Sequence, residues 1–126
     1  MGADTMKIAG FGCRPGTDAG VLRALLDQAG GADVLATIPD RAAELTALSR
    51  ATGLPLHLVD VAGVATPTQS PRIIAKFATG SVAEAAALKA VLAAAGPGAR
   101  LTVTRQISPC GCATIAIAAP ALSVGT

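Results

Sequence analysis

Met6-Lys7-Ile8-Ala9-Gly10-Phe11-Gly12-Cys13-Arg14-Pro15-Gly16-Thr17 is the stretch on which the fold turns. Residues 6–11 are a short apolar run with glycine near its end, which reads as a buried first strand. Residues 12–17 then form a compact turn. Thr17 stands where it can cap a helix whose apolar positions, Val21, Leu22, Leu25 and Leu26, follow helical spacing. Gly30-Gly31 ends that helix. A second apolar run over 34–38 is stopped by Pro39-Asp40, where a second helix starts, with Leu45 and Leu48 among its apolar positions. Thr52-Gly53 closes it, and residues 54–61 read as a third strand. Strands and helices alternating at these lengths predict parallel βαβ units.

The rest of the chain completes an α/β domain. Residues 62–71 shift to Gly, Thr, Pro, Ser and Gln, a surface loop too short to link two domains. Ser70-Pro71 has the chemistry of a helix start and predicts a short helix through Phe77. Ser81-Val82-Ala83-Glu84 is a capping box, in which serine and glutamate satisfy each other's backbone donors. It opens an alanine-rich helix that runs to Ala95 and breaks at Gly96-Pro97-Gly98. Residues 101–107 and 114–119 are two further strands. Their connector, 108–113, is too short for a crossover, so they predict an antiparallel hairpin at one side of the sheet. The expected architecture is a three-layer sandwich around a mostly parallel sheet of about five strands, one domain over residues 1–126.

Composition narrows the function. Hydrophobic residues are 52% of the 126 and charged ones 14%, which excludes disorder. There are two Phe and no Trp or Tyr, so the stacking platforms of a single-strand nucleic-acid binder are missing. A net charge of +2, with the cations scattered, predicts no phosphate-backbone footprint. The apolar stretches are cut by Gly, Pro or charge before they reach membrane-spanning length. The amino-terminal residues lack the basic start and long apolar middle of a signal peptide. Three cysteines, an odd count, argue against a disulfide framework. A soluble protein of the cytoplasm is expected, binding neither nucleic acid nor membrane.

Two turns carry the candidate site. Between the first strand and helix, backbone N–H groups and the helix dipole suit a carboxylate or phosphate. Arg14 adds a charged contact and Thr17 a hydroxyl. Gly10, Gly12 and Gly16 give G-x-G-x-x-x-G, one residue longer than the dinucleotide fingerprint, and Walker A is absent. The second turn, 78–84, leads into another helix start. In an open parallel sheet such starts gather at the carboxyl ends of the strands. Gly12, Cys13, Arg14, Gly16, Thr17, Thr37, Ser81, Glu84 and Arg105 are the expected ligand-binding residues. Ser81 and Glu84 can equally do no more than cap their helix.

Reactive groups are few. Cys110-Gly111-Cys112 has a C-x-C spacing that can hold a soft metal, with Cys13 or His57 as further ligands. No second motif pairs with it, so small turn cysteines are the better reading, and no metal or cofactor is expected. Cys13, near a helix start and beside Arg14, is a candidate nucleophile through a depressed pKa. Asp40, after the second strand, is the carboxylate best placed for acid/base work, and N-capping accounts for it too.

The motifs resemble those of the CobE family and of the C-terminal domain of CbiG, proteins of cobalamin biosynthesis. Gly10-Phe11-Gly12-Cys13-Arg14-Pro15-Gly16-Thr17 is similar to the family's opening G-x-G-C-R-x-G-T. Leu35-Ala36-Thr37-Ile38, Gly53-Leu54-Pro55-Leu56, Thr66-Pro67, Ser81-Val82-Ala83-Glu84 and Thr114-Ile115-Ala116-Ile117-Ala118 follow in the family's order. The chain departs from the family at Pro39-Asp40-Arg41, where a Lys is common near the helix start, and at Arg105, where a Lys is common before the last strand. Charge is kept at both places, but not a lysine's shiftable proton. The resemblance implies a corrinoid or precorrin intermediate as ligand, whose acetate and propionate carboxylates suit an anion-binding crevice. It implies three alternative roles: binding or carrying that intermediate; hydrolysing the lactone of cobalt-precorrin-5A, with Cys13 or Asp40 as the chemistry; or docking as a non-catalytic partner on a precorrin methyltransferase. Other enzymes of the pathway and a second copy of the chain are the protein partners compatible with it.

Overall fold

The structure, a computed structural model, describes residues 6–64, 66, 69, 71, 73, 74, 81–96 and 98–120. Its elements are β1 (Ile8–Cys13), α1 (Ala19–Gln28), β2 (Val34–Thr37), a 3-10 turn (Pro39–Arg41), α2 (Ala42–Thr52), β3 (Leu56–Leu58), α3 (Val82–Ala95), β4 (Arg100–Ile107) and β5 (Ala113–Ala119). Pro71, Ile73 and Ile74 are helical where the short helix through Phe77 is expected; the rest of that segment, the glycine of the second turn (Gly80) and Pro97 lie outside the described residues. No helix among the described residues is long and apolar enough to cross a membrane.

The five strands run in the order β3-β2-β1-β5-β4. β1, β2 and β3 are parallel neighbours, whereas β5 is antiparallel to both β1 and β4. The sheet is therefore mixed rather than mostly parallel. The cause is the hairpin, which sets its second strand, β5, antiparallel beside β1 and leaves its first, β4, at the edge of the sheet. β3 is also shorter than the 54–61 expected, three residues on an edge, with the exposed Asp60 carboxylate accepting the Ala62 N–H in a turn just beyond it.

Two cores flank the sheet. On one face Leu22, Leu25 and Leu26 of α1 and Leu45 and Leu48 of α2 pack on Phe11, Leu35, Ile115 and Ile117. Each such leucine contributes about 1.5–3 kcal/mol on burial. On the other face Val82, Ala86, Ala87, Ala90 and Val91 of α3 cover Ile8, Val34, Ala36 and Ala118. The second interface is built of small residues, and Gly10 shows why. A Cβ placed there would stand 2.1 Å from the Ala83 carbonyl oxygen and 2.5 Å from the Ala87 nitrogen. Only glycine lets the α3 backbone lie this close to β1. The alanines on this face of α3 suit that approach.

Two expectations for the first turn are corrected here. Gly10 lies in the first strand as expected, but Gly12, expected in the turn, belongs to β1 too, and both face α3. The cap of α1 is Asp18, whose carboxylate accepts the Gly20 N–H at 2.9 Å. Thr17 turns the other way and donates to the Arg14 carbonyl at 2.7 Å. The aspartate is one residue closer to the helix, where its side chain reaches the N–H of the second helical residue, so it takes the capping place.

Candidate functional site

A cleft of about 300 Å³ opens where four segments end together. The carboxyl end of β1 supplies Gly12, Cys13 and Arg14. The segment after β2 supplies Ile38 and Arg41, and the amino end of α3 supplies Ser81 and Val82. The hairpin closes the other wall with Arg105, Ile107 and residues 111–114, and Ile73 adds an apolar contact. Of the residues marked from the sequence, Gly12, Cys13, Arg14, Ser81 and Arg105 thus meet at one cleft.

Among the described residues the cleft is lined by three guanidinium groups and by no Asp or Glu side chain. Among the described residues, Arg14, Arg41 and Arg105 have no ion-pair partner. Arg41 was not singled out from the sequence for this site, although its position beside Asp40, at a place where the family commonly carries Lys, was the available signal. Its Nε donates to the Cys13 carbonyl at 2.7 Å and its Nη1 to the Asp40 carbonyl at 2.7 Å.

Arg105 is placed by a bulge. Between the pairs Val103–Ile117 and Gln106–Ile115, Thr104 and Arg105 face Ala116 alone. An extra residue of this kind re-aims side chains and leaves a donor off the ladder. The freed Arg105 N–H is taken by the carboxylate of Glu84 at 3.0 Å. Glu84 is completely buried beneath the cleft and is not among its lining residues. Ser81 makes its half of the capping box, its hydroxyl accepting the Glu84 N–H at 3.3 Å.

The backbone donors of the first turn are already engaged. Arg14 N–H donates to the Cys112 carbonyl at 2.9 Å and Thr17 N–H to the Arg14 carbonyl at 3.2 Å. Gly16 N–H donates to the Glu44 carboxylate at 2.8 Å, and that bond is the main reason Glu44 stays below the ordinary carboxylate range. Pro15 has no donor. The turn is therefore a closed structural clasp, and from this side of the cleft anion recognition falls to the Arg14 and Arg41 side chains. Gly16 and Thr17 support the clasp without lining the cleft. Thr37 is fully buried and donates to the Phe11 carbonyl at 2.8 Å, stitching β2 to β1.

All three cysteines are free. Burial pushes the Cys13 thiol above its ordinary pKa, and Glu44 adds to the effect against smaller opposing pulls from Arg41 and Thr17. The depressed pKa expected beside a helix start is thus absent. The thiolate-forming group is Cys110, at the hairpin tip, brought down to about 7 by hydrogen bonding from the Cys112 thiol and then the Ser108 hydroxyl. Asp40 is exposed and does not line the cleft. His57 is exposed on the edge strand β3, away from the cysteines and the cleft. Among the described residues no cluster of three or more His, Cys, Asp or Glu could hold a metal ion.

Comparisons with known proteins agree on one family. A family model described as cobalamin synthesis G C-terminus matches residues 7–118. The crystal structure of CobE, a protein from the cobalamin (vitamin B12) biosynthetic pathway, aligns with a TM-score of 0.71 and 28% identity, covering 90% of this chain and 89% of that one. The crystal structure of cobalamin biosynthesis protein chiG from Agrobacterium tumefaciens str. C58 aligns with a TM-score of 0.63 and 33% identity, covering 91% of this chain and 98% of that one. No curated protein sequence matches.

Proposed function

The chain belongs to the cobalamin synthesis G C-terminal family, and from that premise we propose that it binds and carries a corrinoid or precorrin intermediate through the carboxylate arms on the rim of the macrocycle. The observation that carries this reading is the meeting of Arg14, Arg41 and Arg105 at one cleft with no acidic side chain among its described lining residues. Guanidinium groups recognise carboxylates through paired, charge-assisted hydrogen bonds. Early corrinoid intermediates bear acetate and propionate arms around the whole ring. A volume of about 300 Å³ is at the lower end for small-molecule sites, which span roughly 300–1,000 Å³. It suits one edge of a macrocycle with its arms, the rest of the ring lying outside. Ile38, Ile73, Val82 and Ile107 provide apolar surface for that edge.

The reactive groups support carriage over turnover. A lactone hydrolase needs an activated nucleophile or a general base at the ligand. Cys13 reaches the cleft, but burial raises its thiol's pKa, the opposite of what activates a nucleophile. Asp40 stands off it. The deciding experiment mixes the purified protein with successive precorrin intermediates and follows co-elution and the visible spectrum. One intermediate is expected to co-elute with a spectral shift. Release of acetaldehyde from a lactone-bearing intermediate would replace carriage with hydrolysis, and co-elution of none would refute the reading.

A further inference from the structure

We infer that Arg41 is the fixed anchor of the cleft and that it makes the site selective for an edge bearing at least two carboxylates, rather than for a phosphate or a single acid. This deepens the corrinoid reading of the same cleft and rests on it. The three arginines differ in how they are held. Arg41 grows from the junction between the 3-10 turn and α2, where its own N–H is bonded to the Ile38 carbonyl at 3.0 Å. Its side chain crosses to the end of β1 and is tied to two carbonyls, those of Cys13 and Asp40. Two of the five guanidinium N–H donors are used there, and three remain for a ligand. The plane of the group is set before any ligand arrives, so little rotamer freedom is lost on binding.

Arg14 and Arg105 have no such ties. Their backbone N–H groups are bonded, but neither guanidinium has a hydrogen-bond partner among the described residues. They are long arms at the same cleft, free to fold onto a second carboxylate once Arg41 has oriented the first. A phosphate site of the usual kind needs a cradle of free backbone N–H groups. Here the donors of Arg14, Gly16 and Thr17 are spent on Cys112, Glu44 and Arg14, and those of Cys112 and Ala113 on the Ser108 hydroxyl. What remains is a rigid fork, two flexible ones and the first N–H groups of α3 at one wall, without the looped cradle of a phosphate site, a geometry that separates ligands by the number of their carboxylates.

The test uses the full chain with defined probes. Tricarballylate offers three carboxylates on adjacent carbons, and uroporphyrin offers paired acetate and propionate arms on a tetrapyrrole; acetate and inorganic phosphate are the controls. In the unliganded protein the Arg41 Nε–H gives a sharp, exchange-protected NMR signal, which shifts with tricarballylate and uroporphyrin and not with equal concentrations of acetate or phosphate. Arg41→Lys, which keeps the charge and loses the fork, weakens both polycarboxylates by about tenfold or more. If folded Arg41→Lys binds uroporphyrin as tightly as the parent, the anchor is refuted while the corrinoid reading stands. A response to tricarballylate without one to uroporphyrin keeps the anchor and counts against the corrinoid. Phosphate binding as tight as tricarballylate refutes the selectivity, and silence of the Arg41 signal to every probe refutes both. Should Arg41→Lys fail to fold, the titrations of the parent protein decide.

Discussion

The Glu84 carboxylate accepts the backbone N–H of Arg105 at 3.0 Å, joining the first turn of α3 to the bulge of β4. Neither element would hold the cleft alone. The bulge leaves a backbone donor without a ladder partner, and a buried donor left unpaired costs about 1–3 kcal/mol. Glu84 supplies the acceptor from beneath, and Ser81 fixes the turn from which Glu84 projects. One contact thereby sets the position of Arg105 against the amino end of α3.

Glu84→Ala is expected to destabilise the fold by about 2–4 kcal/mol, combining the orphaned Arg105 donor with the cavity left by a fully buried side chain. Glu84→Gln keeps an acceptor of the same shape and should lose less than half as much. Urea unfolding of the three proteins checks the order. Equal losses for both variants would mean that charge, not the hydrogen bond to Arg105, is what matters.

Gly10 and Gly16 make a contrasting pair. At Gly10 the obstacle is the backbone of α3, which has nowhere to move, so Gly10→Ala should cost about 3 kcal/mol or more or prevent folding. Gly16 has φ +79° with open space around it, and Gly16→Ala should cost only the left-handed penalty of about 1–2 kcal/mol. Thermal melting of both variants gives the comparison. A mild Gly10→Ala would show that the close approach of α3 to β1 is not required.

The same glycines mark how far the sequence was legible. Apolar runs and helix spacing placed the core elements, since these are local signals: the leucines of α1 and α2, and Ser81 at the start of α3. What Gly10 is for is not local. Its contacts come from Ala83 and Ala87, more than seventy residues away in the chain, so the apolar run puts Gly10 in a strand without showing why the residue must be glycine. Arg41 escaped for the same reason, because its fork is set by carbonyls of two separate segments. Thr17 was misplaced by one residue, as expected where Thr and Asp are adjacent and either side chain can cap.

Cysteine reactivity should order itself by environment. Cys110 has a pKa of about 7 and is exposed at the hairpin tip. As pH rises through 7 its thiolate grows, so iodoacetamide should modify it with a midpoint near pH 7. Cys13 and Cys112, both shifted upward, should follow only at higher pH. Peptide mass spectrometry resolves the three sites. Cys13 reacting first at neutral pH would make it an activated thiol. In line with its raised pKa, Cys13→Ser should retain ligand binding, and lost turnover with unchanged binding would return the hydrolase reading.

Arg14 offers the cleanest separation of binding from stability. Its side chain is exposed and makes no hydrogen bond or ion pair among the described residues, while its backbone N–H holds the Cys112 carbonyl and would do so equally from alanine. Arg14→Ala should therefore leave the melting temperature nearly unchanged, within about 0.5 kcal/mol of the parent. A charge-assisted contact to a ligand carboxylate is worth about 1.5–3 kcal/mol where water is excluded. Binding of the corrinoid intermediate should then weaken by about tenfold or more, and its salt dependence should flatten because one cation is gone. Titration at low and high ionic strength, beside a thermal melt, measures both effects. A lower melting temperature without selective loss of binding would make Arg14 a structural residue, and unchanged binding would remove it from the site.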